Sequence, residues 1–94
     1  MNDTRFSFFP LGQMVATPGA LDRMERYGIH AFDLISRHAR GDWGDPDPED
    51  LAANEAALRQ RGRLFSAYGT GDQKLWVITE ADRSATTLLR PEDY

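Results

Sequence analysis

The 94-residue chain has room for one domain with one modest core. Its 40% hydrophobic and 28% charged residues exclude wholesale disorder, and its lack of cysteine excludes a disulfide scaffold, a thiolate metal site and a cysteine nucleophile. The net charge of −4 disfavours a phosphate-driven nucleic-acid binder.

The N-terminus has an aromatic cluster, Phe6, Phe8 and Phe9, but no long apolar stretch of the signal-peptide kind. No apolar run approaches the roughly 20 residues of a membrane span. A small secreted domain without cysteines would lack its usual staples, so the expected compartment is the cytoplasm. Residues 1–10 read as an arm, and residues 11–94 as a single α+β domain.

In chain order, residues 11–16 are expected to form a short strand. Thr17-Pro18 is a helix start, with a hydroxyl N-cap followed by proline at the first helical position. That helix should end at Gly28, with Leu21 and Met24 as its apolar contacts. Residues 29–40 read as a second helix. Phe32, Ile35 and Ala39 are spaced for one face, and Arg37 and Arg40 lie in the last turn, where cations suit the helix dipole. The stretch from Gly41 to Asp50, GDWGDPDPED, has two glycines and two prolines and must be a loop. Asp47-Pro48 repeats the cap-then-proline signal, so a third helix is expected over 48–61, ending at Gly62, with Leu51, Leu58 and the alanines on its buried side.

The last third changes period. Residues 63–68 and 74–80 are rich in aromatic and β-branched side chains, and Gly69 to Gln73 reads as a hairpin turn. A polar connection and a third strand over 86–90 complete a three-stranded antiparallel meander. The strand at 11–16 is a candidate fourth member. One face of the sheet should pack on the helices.

Several groups invite a chemical reading. The acidic residues Asp42, Asp45, Asp47, Glu49 and Asp50 suggest calcium, but an EF-hand loop begun at Asp45 would place Asp50 where glycine is required and Ala56 where glutamate is required. The only histidines, His30 and His38, are not spaced i, i+4 and offer no paired zinc ligands. No metal and no cofactor are expected. Trp43, between two glycines, either plugs the edge of the core or anchors a partner. Trp76 belongs in mid-strand packing. Asn54 interrupts the apolar side of the third helix and is expected to hydrogen-bond backbone between Gly41 and Asp47, holding Trp43 in place. Asp82 is a good turn residue, and Arg83 beside it has the chemistry to meet an anionic ligand. Trp43, Asp42, Asp45, Asp82 and Arg83 are therefore the candidate binding residues.

Three stretches carry a resemblance: VATPGAL at Val15 to Leu21, RHARGDWGD at Arg37 to Asp45, and SAYG…LWVITEADRSATTLLRPEDY from Ser66 to Tyr94. In these the chain resembles a family of short proteins carried on plasmids and integrative elements, called plasmid-related proteins or, misleadingly, a type I restriction subunit M. The chain has no glycine-rich S-adenosylmethionine loop and no N-P-P-Y/F motif, so the restriction label implies nothing for it. The resemblance implies a mobile-element setting and brings no activity with it. A second resemblance is at the level of element order. Helices followed by an antiparallel meander also occur in ribonucleases of the barnase, RelE and colicin types. There His38, Arg40, Tyr68 and Thr86, with Ser66 and Thr87, would be the counterparts of the residues around a scissile phosphate.

Two functions are thus weighed. The first is a non-enzymatic accessory protein of a mobile element that binds a host protein or protein complex, an inhibitor of a nucleic-acid defence system (anti-restriction or anti-CRISPR) being one concrete form. Its acidic loop would face a basic channel. The alternative is a small metal-independent ribonuclease. With one base, His38, and acidic neighbours Asp42 and Asp45, the expectation is no direct nucleic-acid binding and no RNA cleavage.

Overall fold

The computed structural model describes residues 8–94; Phe6 and the other residues of the arm before Phe8 lie outside the described part. The elements run β1 (Gln13–Ala16), α1 (Pro18–Tyr27), α2 (Ala31–Ala39), α3 (Pro48–Gln60), β2 (Leu64–Tyr68), β3 (Leu75–Thr79) and β4 (Ala85–Leu89), with 3₁₀ turns at Gly71–Gln73 and Pro91–Asp93. The molecule is α+β, three helices on a four-stranded mixed sheet of order β1-β4-β3-β2. Strands β2, β3 and β4 pair antiparallel in sequence, but the sheet does not stop there. β1 joins it as an edge strand parallel to β4, with Met14 opposite Thr86 and Ala16 opposite Leu88. No helix among the described residues is long and apolar enough to cross a membrane.

Local chemistry accounts for the helix boundaries. Thr17 Oγ1 accepts from the Ala20 amide at 3.1 Å, Pro18 occupies the first turn, and Gly28 ends α1 in the left-handed region at φ 67°. Proline again opens α3 after Asp47, but its carboxylate makes no capping bond. That helix also ends earlier than the glycine signal implied: Arg61, not Gly62, takes the left-handed cap at φ 60°.

The helix faces agree in part with those expected: Met24, Ala39 and Ala57 are buried, and Ile35 and Leu58 pack against the core. Leu34, His38 and Ala39 are the buried side of α2, and Phe32 is 75% exposed. In α1 Met24 is buried but Leu21 is exposed, and in α3 the buried residues are Asn54 and Ala57, while Leu51 is exposed. Three-residue spacing alone cannot choose between adjacent stripes of a short helix. The choice here follows the polar partners waiting on the sheet.

Those partners lie on one face of the sheet, formed by Leu64, Ser66 and Tyr68 of β2, Leu75, Val77 and Thr79 of β3, and Thr86 and Leu88 of β4. Ala20, Met24 and Leu34 pack there with Tyr68, Leu75, Val77 and Leu88. A second cluster joins Phe9, Trp43, Ala57 and Leu64. The end of the arm is therefore part of the core: Phe9 is buried, and the Phe8 amide donates to the Ala39 carbonyl at 2.8 Å.

Candidate functional site

Of the candidate catalytic residues, His38, Ser66 and Thr86 are drawn together, but inside the molecule. His38 is fully buried, as are Ser66, Thr79 and Thr86. Leu11 O can only accept, and it accepts from Thr86 Oγ1 at 2.7 Å. The Thr86 hydroxyl proton is thereby used, so Thr79 Oγ1 must donate to Thr86 Oγ1 across 2.7 Å. Thr79 can then only accept from His38, whose Nε2 lies 2.9 Å away and must carry the proton. One backbone carbonyl thus fixes the protons of both threonines and of Nε2, and in the neutral ring Nδ1 accepts from Ser66 Oγ at 2.6 Å.

Burial agrees with that neutrality, pushing the His38 pKa down to about 4. The ring is enclosed by Phe9 and Trp43, both edge-on at centroid distances of 5.4 and 5.5 Å. Both ring nitrogens are engaged and neither faces solvent.

The other members of the ribonuclease set do not complete a site. Tyr68 donates its hydroxyl to the Asp42 carbonyl at 2.6 Å, and burial pushes its pKa up to about 12. Arg40 is exposed at the C-terminal end of α2. Arg37 lies 4.5 Å over the Tyr68 ring and is paired in a fork with Asp42, Nε to Oδ2 at 2.7 Å and the second nitrogen to Oδ1 at 3.2 Å. That pairing raises the Arg37 pKa and lowers that of Asp42.

The candidate binding residues are scattered. Trp43 is 6% exposed and is core, not an exposed anchor. Its carbonyl accepts from the Ala67 amide at 2.9 Å, and the Asp45 amide donates to Ala67 O at 2.8 Å. Gly44 sits between them at φ 75°, where a Cβ would collide with that same Ala67 oxygen. The Asp45 carboxylate is exposed. Asp82 is exposed too and accepts from the Ser84 amide at 2.9 Å, a bond that closes its turn.

Arg83 is directed inward, away from any anion in solution. Its guanidinium donates to the carbonyls of Ala57 at 3.0 Å, Gly62 at 2.6 Å, Glu80 at 3.1 Å and Ala81 at 3.3 Å. Arg83 closes the C-terminal end of α3 from the β3–β4 turn, and desolvation lowers its pKa. To reach there it adopts φ 61°, a conformation that glycine normally supplies at this place in a hairpin.

Asn54 also holds something other than the loop. Its Oδ1 accepts from the Phe65 amide at 2.9 Å and its Nδ2 donates to the Phe65 carbonyl at 2.7 Å. The carboxamide therefore pairs with β2 as one residue of a neighbouring strand would. Trp43 is held by Ala67 instead. Among the described residues no three His, Asp or Glu side chains are grouped to hold a metal ion.

The feature absent from sequence reasoning is the second face of the sheet. By register it carries Phe65 and Ala67 of β2, Trp76 and Ile78 of β3, Thr87 and Leu89 of β4, and Val15 of β1. The helices direct their buried side chains to the opposite face. Here Trp76 packs edge-on between Phe65, at 4.9 Å, and Tyr94, at 5.8 Å, and Tyr94 is itself 72% exposed. Arg63 lies 5.6 Å from the Tyr94 ring and donates to its hydroxyl at 3.0 Å. The signal was present in the sequence as alternation in both strands, Phe65/Ala67 and Trp76/Ile78. No protein-family model, curated protein or solved structure matches the chain.

Proposed function

We propose that this chain is a non-enzymatic protein that acts by binding another protein through the face of its sheet away from the helices. The observation that supports this is the aromatic cluster on the face away from the helices, where Tyr94 is exposed and Phe65 and Trp76 are half-buried over the buried Ala67, Ile78 and Leu89. Aromatic residues flanked by arginine are what protein interfaces enrich. Of the exposed acids Asp45, Asp47 and Glu49, Asp45 adjoins the edge of β2, its amide bonded to Ala67 O, and sets a negative charge beside that edge. A protein with a basic groove, such as a host nucleic-acid defence complex, is the partner class that this charge arrangement and the mobile-element resemblance suggest. The ribonuclease alternative has no observation in its favour, since its base is sealed in the core.

The test uses photo-crosslinking from position 94 in cells of the host, compared with the same crosslinker at Glu55 on the exposed side of α3. A discrete adduct with a host protein from position 94, lost in Trp76→Ala and Phe65→Ala, supports the reading. No adduct specific to position 94, or an adduct with RNA alone, refutes it.

A further inference from the structure

The two edges of the sheet are finished differently. On β2 the outward groups of Phe65 are taken by the Asn54 carboxamide, and those of Ala67 by the backbone of Trp43 and Asp45. That edge has no free ladder position at either residue. On β1 the Gln13 amide donates to Ser84 O and the Thr17 amide to Leu88 O, both at 3.0 Å. The alternation of a strand then aims the N–H and C=O of Met14 and Ala16 away from β4. Among the described residues no other strand pairs with β1. Met14 is 46% exposed, Val15 40%, and Leu21, in the first turn of α1 just after β1, 56%.

An open edge in a monomer is normally blunted by a charge, a proline or a bulge. β1 has none of these. It lies in the run from Phe6 to Leu21, the longest stretch of the chain without a charged residue. We infer that β1 pairs antiparallel with β1 of a second copy of this chain, joining two four-stranded sheets into one across a twofold axis. Charge selects this occupant. Each copy carries −4, so two copies can approach only through a surface with no like charges to oppose, and this segment is such a surface.

The register follows from which groups are free. Met14 of one copy exchanges both backbone bonds with Ala16 of the other, and the reverse, while Val15 meets Val15 on the axis as a close non-hydrogen-bonded pair. Because the β2 edge is closed, the pairing cannot continue head to tail. It ends at two copies. A four-residue strand with Leu21 beside it buries less than the roughly 1,600 Å² of a standard interface, so the dimer dissociates on dilution. The faces away from the helices fall on the same side of the joined sheet in both copies. The inference does not depend on the proposed function, because its readout is mass alone.

Sedimentation of the full chain over a dilution series tests it. The expected result is a shift from twice the chain mass to the chain mass on dilution. Val15→Lys places two ammonium groups against each other on the axis and is expected to weaken the dimer by at least about tenfold in Kd with an unchanged melting curve. Met14→Pro removes an amide that faces only the open edge and is expected to do the same. Glu55→Gln, an equal change of charge on the exposed side of α3, leaves the dimer intact or slightly strengthened. A wild-type chain that sediments as a monomer at every concentration overturns the inference. So does dimerisation indifferent to both β1 variants, or a species that grows beyond two copies.

Discussion

Lowering the pH from 7 to 5 should destabilise this protein through one residue. In the unfolded chain the His38 imidazole has an ordinary pKa of 6.5, and in the core it titrates at about 4. The unfolded state therefore takes up the proton first as pH falls. The stability that neutral His38 contributes is complete above 6.5, declines below it, and is gone once pH passes 4. At about 1.4 kcal/mol per pH unit the whole gap is worth about 3 kcal/mol, and about 2 kcal/mol of it is lost between pH 7 and 5. For a chain of this length that corresponds to a fall in Tm of about 10 °C. The cause is burial, which takes the charged ring out of water; a second proton on Nδ1 could donate to Ser66 Oγ at 2.6 Å only if that hydroxyl turned its own proton elsewhere. Urea or thermal melts of the wild type and His38→Gln at both pH values isolate the effect, because the carboxylates respond alike in the two proteins. Loss of the pH 7-to-5 difference in the variant is the expected outcome. An equal slope in both proteins, or a His38 ring resonance that titrates near 6.5 in the folded state, would refute the reasoning.

Asn54→Ala should cost about 1–3 kcal/mol, because both backbone groups of Phe65 lose their partner at once; an unchanged melting curve contradicts this. Arg83→Ala should lower the melting temperature by exposing four carbonyls to loss of their donor, and Arg83→Gly should be about 1 kcal/mol less harmful, since glycine accepts φ 61° without strain. Equal melting of the two Arg83 variants would remove the strain argument. Purified protein should not cleave RNA, and turnover abolished by His38→Ala in a folded protein would restore the ribonuclease reading.

Much of the frame was legible because local chemistry dictates it. Thr17-Pro18 and Asp47-Pro48 each announce a helix start whatever surrounds them, and Gly28 announces an end. The strands of the last third are visible in their alternation. What could not be read was which stripe of each helix turns inward and what the polar residues meet. His38 has its partners on three different strands, 28 and 41 residues away for Ser66 and Thr79, with Thr86 beyond. Asn54 was recognisable as a buried amide that needs partners, yet the choice between the nearby loop and Phe65 depends on how α3 lies along β2. A sharper clue existed in period two. Ser66, Thr79 and Thr86 fall on the same inward alternation as Leu64, Val77 and Leu88, so three hydroxyls were due to be buried together. The single imidazole on an apolar helix was the group able to serve them. Arg83 was misread because a turn residue is assumed to face water, and only the nearby end of α3 turns it inward.

The parallel pairing of β1 with β4 makes neighbours of the first and last strands, and Thr17 Oγ1 fastens this corner to Asp93 at 2.7 Å across 76 positions of sequence. The ladder from β2 to β4 consists of adjacent hairpins that can form early, whereas β1 has no strand to join until β4 exists. Assembly is thus expected to finish at the beginning of the chain, with Leu11 and Phe9 settling after the hairpins.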